Sequence, residues 1–304
     1  MSPLARRRAA GRTTEAPAPF VVGVGRSGTT LLRLMLDAHP RLAIPAETHF
    51  VPALIERAKA GGEPDALLGE ILSARNWGDF GLDPETLRAR IATLDGADPA
   101  SVLRGFYRLY ADARSKPRWG DKTPGYVKRM RIIGEALGEA RFVHLIRDGR
   151  DVALSRRGRG MGAEKPIADV ADRWRRRIEA ARRSARRLRG RYLELRYEDL
   201  VADPEPVLRR VCELVELDYD PAMLRYHERA EQRLREMSGD LPAAGGRRGR
   251  SGEERMAAHA LTSRPPAGDR VGGWRERMSA TERAEFEAVA GGLLAELGYD
   301  VPSS

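Results

Sequence analysis

Chemistry is densest between Phe20 and Leu36. An apolar run, Phe20–Val24, leads into a turn carrying Gly25, Arg26, Ser27, Gly28, Thr29 and Thr30, and then into residues with the apolar spacing of a helix. Glycines at 23, 25 and 28 let the chain turn tightly, so the free amides at the start of the helix converge on an anion. Ser27, Thr29 and Thr30 add hydroxyl donors and Arg26 a cation. Counted from Gly23, the spacing is that of the triphosphate-binding loop G-x-x-x-x-G-K-[ST], except that Thr29 stands where the lysine belongs. The expectation is a phosphate cradle for something other than a triphosphate.

A second anion-binding turn is expected where the apolar strand Arg141–Ile146 runs into Arg147, Asp148 and Gly149 and a helix bearing Ser155. Tyr197 closes a third strand, 191–197, and faces either a nucleotide or the strand packing. Glu47 is either a general base or an ordinary carboxylate, and His49, two residues on, is a competing base. Lys122 lies in the polar turn Trp119–Pro124, where it either serves chemistry or pairs with Asp121. His144, inside an apolar strand, and Cys212, on an apolar helix face, read as core residues.

The whole chain has 304 residues, enough to bury about 75% of its unfolded surface in one large α/β domain. One cysteine excludes an intramolecular disulfide and fits a reducing, cytoplasmic setting. No apolar run reaches the roughly 20 residues of a membrane span, and no apolar signal core opens the sequence. The net charge of +10 admits nucleic acid. Solvated arginine-rich helix faces explain the charge equally well, and no basic aromatic strand, zinc knuckle or helix-turn-helix pattern accompanies it. Anionic small molecules are the preferred partners.

These residues must be positioned by strands alternating with helical segments. That pattern predicts a P-loop-like, doubly wound parallel sheet flanked by helices, in one domain over 19–302 after a disordered leader, 1–18. Short helical stretches over 61–116 predict a helical cap. The segment 232–262, rich in glycine, arginine and glutamate, predicts a mobile loop acting as a C-terminal lid. Cap and lid are expected to form the acceptor pocket.

Two motifs together, Gly25–Thr30 after one strand and Arg147–Ser155 after another, resemble the sulfotransferases that use 3′-phosphoadenosine-5′-phosphosulfate (PAPS). The resemblance runs from about Phe20 to Pro302 and is nearest the branch containing the tyrosylprotein sulfotransferases and bacterial relatives. It implies that Gly25–Thr30 hold the 5′-phosphosulfate and that Arg147 and Ser155 hold the 3′-phosphate. Glu47 becomes the catalytic base, with Arg26 and Lys122 stabilising the leaving group. Thr262–Pro265 with Gly272–Trp274 resembles the family's nucleotide-covering loop, which makes Ser263 a catalytic and Trp274 an adenine-side candidate. Relatives often carry proline where this chain has Gly25. The implied reaction transfers a sulfuryl group to a hydroxyl of a small molecule, glycan or lipid, with no metal required. The competing readings are a P-loop kinase or hydrolase, disfavoured by Thr29, and an anionic-polymer or nucleic-acid binder. The sequence is silent on oligomeric state.

Overall fold

The computed structural model describes residues 15–94, 98–158, 165–243 and 248–301. Of the expected leader, residues 1–14 lie outside this range, and the first strand begins at Ala18, whose amide donates to Glu139 O at 2.9 Å.

Four parallel strands form the central sheet: β1 (Ala18–Gly23), β4 (Asp121–Lys122), β5 (Ala140–Ile146) and β6 (Tyr192–Arg196), in the order β4-β1-β5-β6. Every residue of β1 is buried, as an apolar strand covered on both faces requires. Strands are added on both sides of β1, so the crevice beyond its carboxyl end is a switch point, where open α/β sheets bind ligands. The carboxyl ends of all four strands carry singled-out residues: the Gly25–Thr30 turn, Lys122, Arg147 and Tyr197.

A second sheet is not legible in the sequence. It pairs β2 (Leu42–Ala43) with β3 (Arg118–Trp119) in parallel, Leu42 facing Arg118 and Ala43 facing Trp119. Each is two residues long, too short for any periodicity to register. This pairing carries 44–49 alongside 120–123.

Helix α1 (Thr29–Asp37) follows the cradle, and α2 (Val51–Lys59) follows Glu47 and His49. After Lys122 come a 3-10 turn, Pro124–Lys128, and an α-helix, Met130–Ala136, separated by Arg129 at φ −120°. Within 61–116 lie helices at Pro64–Leu72, Pro84–Ala92 and α3 (Pro99–Asp112), each opened by proline, which loses nothing at a first helical turn. Helix α3 buries Phe106, Tyr107 and Tyr110 in the main core, where Phe20 meets Tyr107 edge-on at 6.2 Å and Tyr107 stacks on Trp119 at 4.5 Å. These helices are thus continuous with the core under the sheet.

On the other side, α4 (Gly149–Arg157), α5 (Ile167–Ala185) and α6 (Ala280–Glu296) build a second apolar cluster around Trp174, Phe286 and Leu294. Of the expected lid, 232–262, residues 244–247 lie outside the described residues. Its described parts depart from the packing-poor loop the composition predicts. Helices occupy His227–Leu234 and Gly252–Ala257, and Ala230, Leu234 and Met237 join the main core beside a set of buried ion pairs. Glu236 accepts from Arg33 (2.9 Å), Arg114 (2.6 Å), Arg233 (2.6 Å) and Tyr110 (3.1 Å). Arg233 also binds Asp37 at 2.7 Å, so the segment is fastened to α1 by charge, which a hydropathy reading does not register.

Candidate active site

The turn after β1 places two residues in the left-handed backbone region, Arg26 at φ 81° and Gly28 at φ 89°. For arginine that conformation is strained, as functional turns often are. At Gly28 the requirement is also steric, because a Cβ would lie 2.3 Å from Cδ2 of Tyr197. Gly25 has no positive φ, and a Cβ there would meet nothing within 4 Å, so the turn does not depend on glycine at that position.

Ser27 is fully buried, yet among the described residues its hydroxyl has no hydrogen-bond partner, and the same holds for Nε of Arg147. Unmet buried donors are costly unless a ligand meets them. The turn and the start of β5's loop therefore fit an anion. Three of the expected anion-binding side chains converge: Arg26 Nε donates to Ser155 Oγ at 3.2 Å, and Arg147 Nη1 to the carbonyl of Arg26 at 3.4 Å. The Arg147 guanidinium lies 4.6 Å from the centre of the Tyr197 ring.

Lys122 is buried at the end of β4, with Nζ 3.5 Å from Thr30 Oγ1 and 2.8 Å from Glu47 Oε1. Glu47, a third exposed at 33%, can still be reached from outside. Burial acts to raise its pKa, but the Lys122 ammonium, with His49 and His259, outweighs that and holds it at about 2. His49 Nε2 lies 3.3 Å from Glu47 Oε2, so each carboxylate oxygen has a basic neighbour. The Glu47 carbonyl is anchored by Asn76 Nδ2 at 2.8 Å.

Beneath this pair is a buried polar hub that sequence reasoning missed. Asp121 Oδ2 accepts from Thr48 Oγ1 at 2.7 Å and from Tyr107 OH at 2.9 Å. Thr48 Oγ1 is also 2.8 Å from Tyr126 OH, and its amide donates to Thr123 Oγ1 at 3.0 Å. Burial raises the Asp121 pKa to about 6 against the hydrogen bonds from Thr48 and Tyr107. Asp121 and Thr48 adjoin the singled-out Lys122 and Glu47, which is the available signal; Tyr107 and Tyr126 carry none.

Two further expected residues are held by contacts of their own. Ser263, half-buried, donates its hydroxyl to Ala260 O at 2.6 Å within its own 3-10 turn. Trp274 is buried in the second apolar cluster with the Arg150 guanidinium 3.5 Å from its ring centre. The covering loop is nonetheless tied to α4, since Asp151 accepts from the amides of Gly272 (2.8 Å) and Trp274 (3.0 Å), and Arg147 Nη2 donates to Arg270 O at 2.5 Å. His144 and Cys212 are core residues as expected. Among the described residues, no group of three or more histidine, cysteine or acidic side chains is placed to hold a metal, and no helix is long and apolar enough to cross a membrane.

A parallel α/β sheet with an anion cradle at its switch point defines the broad class. The model of the sulfotransferase family matches residues 17–221, and the chain belongs to that family. It is 26% identical over 221 residues to a protein-tyrosine sulfotransferase of Drosophila melanogaster, covering 70% of this chain and 41% of the relative. Protein-tyrosine sulfotransferase 1 of Danio rerio is 26% identical over 220 residues, covering 70% and 57%. The chain spans about half the length of these curated relatives. In fold it is similar to the sulfotransferase domain of the Synechococcus PCC 7002 olefin synthase, with TM-score 0.59, 24% identity, and 96% and 98% of the two chains covered. The sulfotransferase domain from the curacin biosynthetic pathway gives TM-score 0.60 at 22% identity, covering 95% and 100%.

Proposed function

We propose that the protein transfers a sulfuryl group from PAPS to an acceptor hydroxyl, with Glu47 as base and Arg26 and Lys122 serving the leaving group. The observation that carries this reading is the Lys122–Glu47 contact of 2.8 Å, one lysine joining the candidate base to the Thr30 end of the cradle. The amides of the cradle and Ser27 Oγ would hold the 5′-phosphosulfate. Arg147 and Ser155, gathered with Arg26, would hold the 3′-phosphate.

The bond from sulfur to the bridging phosphate oxygen breaks as the acceptor oxygen bonds to sulfur, and the hydroxyl proton passes to Glu47. Negative charge grows on the leaving oxygen, so preorganised cations and amides there carry most of the rate. Removing one such donor costs about 10²–10³ in turnover. A carboxylate held at a pKa of about 2 is a weak base while it keeps the whole ammonium. Charge developing on the leaving oxygen competes for Lys122, so Glu47 gains basicity as the proton must move. The lysine couples the two events.

The Drosophila and zebrafish relatives are named for protein tyrosine. For this chain the acceptor is proposed only as a hydroxyl of a small molecule, glycan or lipid, with no nucleic-acid partner. Transfer of labelled sulfate from PAPS into a cell extract tests the reading. The wild type should label a product and Glu47→Ala should not, while Glu47→Ala keeps its affinity for 3′-phosphoadenosine-5′-phosphate (PAP). Transfer by Glu47→Ala within a few fold of wild type would remove Glu47 from the role of base.

A further inference from the structure

The pocket onto which Glu47 opens has a volume of about 140 Å³ and is lined on its other sides by Arg75, Asp79, Arg250 and Arg255, among others. Its two carboxylates are already matched, Glu47 by Lys122 at 2.8 Å and Asp79 by Arg255. Arg75 and Arg250 have no such match among the described residues. Among the described residues, Arg75 Nη2 donates only to the carbonyls of Pro242 and Arg248, and its Nε is buried without a partner. Arg250 Nη2 donates to the carbonyl of Glu254 at 3.1 Å. The Glu254 carboxylate itself is taken up by Arg248 Nη2 at 2.8 Å and by the Ser251 amide at 3.2 Å.

Carbonyl oxygens satisfy hydrogen bonds without neutralising charge, so among the described residues Arg75 stays uncompensated, while Arg250 shares the field of a Glu254 carboxylate that Arg248 already binds. Two half-buried cations therefore stand in the wall of a pocket whose acidic members are neutralised. Partly buried guanidiniums favour carboxylate and phosphate groups, which they can grip through two nitrogens at once. Arg250 lies beyond the residues matched by the family model, 17–221, so half of this arrangement belongs to the chain's own C-terminal segment.

We propose that the acceptor carries an anionic oxygen group, a carboxylate or a phosphate-type anion, which Arg75 and Arg250 hold while its hydroxyl is presented to Glu47. This rests on the reading of Glu47 as base, and it narrows the acceptor to hydroxy acids and their phosphate analogues. A neutral alcohol or amide of the same shape would leave Arg75 unmatched and Arg250 sharing Glu254 with Arg248, and would lose the discrimination that a charged partner gives.

The test separates donor from acceptor. Calorimetry first measures PAP binding by wild type, Arg75→Gln and Arg250→Gln, and the three should agree within about threefold. The PAP-loaded proteins are then titrated with 4-hydroxyphenylacetate, 4-hydroxybenzylphosphonate and the neutral 4-hydroxyphenylacetamide, and with 6-hydroxyhexanoate against 6-hydroxyhexanamide. The wild type should bind at least one anion tenfold or more tightly than its amide, with the carboxylate and phosphonate arms identifying the group. Either substitution should bring that ratio within about threefold of one. Equal binding of acid and amide, survival of the preference in both variants, or binding of no probe overturns the proposal. Failure of the first titration to show PAP binding would instead strike the donor reading.

Discussion

Asp121 Oδ2 lies 2.7 Å from Thr48 Oγ1, and this single buried hydrogen bond joins the neighbours of Lys122 and Glu47. The two singled-out side chains are 75 residues apart in sequence and 2.8 Å apart in space. Thr48 and Asp121, with the phenols of Tyr107 and Tyr126, fix the backbones from which they project. Positions held this firmly are what effective proton transfer and charge stabilisation require.

Asp121→Asn keeps an oxygen that can accept from Thr48 and Tyr107, whereas Asp121→Leu leaves both donors unmet. The leucine variant should lose roughly 10²-fold in kcat, as a small misplacement of catalytic groups does, and the asparagine variant should recover most of that. PAP affinity should change little in either. Steady-state kinetics with a sulfated product in hand, beside calorimetry, checks this; a leucine variant with wild-type kcat contradicts it.

Glu236 joins Arg33, Arg114, Arg233 and Tyr110 where the C-terminal segment meets α1 and α3. Burial opposes its ionisation, but the surrounding guanidiniums hold its pKa below the ordinary range. Glu236→Gln leaves three cations without their shared carboxylate, which for buried pairs costs about 3–5 kcal/mol. Denaturant unfolding should register the loss. A change below about 1 kcal/mol would mean that the cluster is dispensable.

His144 is fully buried on β5, with Nδ1 2.7 Å from Tyr192 OH, and burial lowers its pKa to about 4 from an ordinary 6.5. The unfolded chain therefore binds a proton that the folded chain refuses between these values. Stability should fall as pH drops from 6.5 to 4, by about 3 kcal/mol for this group. Asp121, raised to about 6, acts in the opposite sense, because its folded form keeps a proton that the unfolded form releases above about 4. The difference between wild type and His144→Gln isolates the histidine. Its unfolding free energy should shrink by that amount at acid pH relative to neutral, and parallel curves would contradict the assignment.

The cradle is legible in the sequence because glycines, hydroxyls and a flanking apolar strand are local signals. So are Arg147 and Ser155, which belong to one short motif spanning the start of α4. The meeting of Glu47 with Lys122 depends on pairing two strands of two residues each, which leaves no pattern in sequence. The 232–262 segment reads as a loop for a related reason, since its few apolar anchors, Leu234 and Met237, are joined by arginine and glutamate matched over nearly 200 residues, as in Arg233 with Asp37. Trp274 is readable as an aromatic beside glycines, but its burial under Arg150 is decided by tertiary packing.

On the proposed reading, the cradle and the Arg26–Arg147–Ser155 cluster together hold a nucleotide phosphorylated at both the 5′ and 3′ positions. Calorimetry of the full chain with PAP, ATP and a short oligonucleotide, at one stated salt concentration, tests it most directly. PAP should bind at a single site at least a hundredfold more tightly than ATP or the oligonucleotide, and Arg147→Ala should erase most of that margin. Binding of ATP as tightly as PAP, or a margin untouched by Arg147→Ala, would remove the doubly phosphorylated nucleotide from this site.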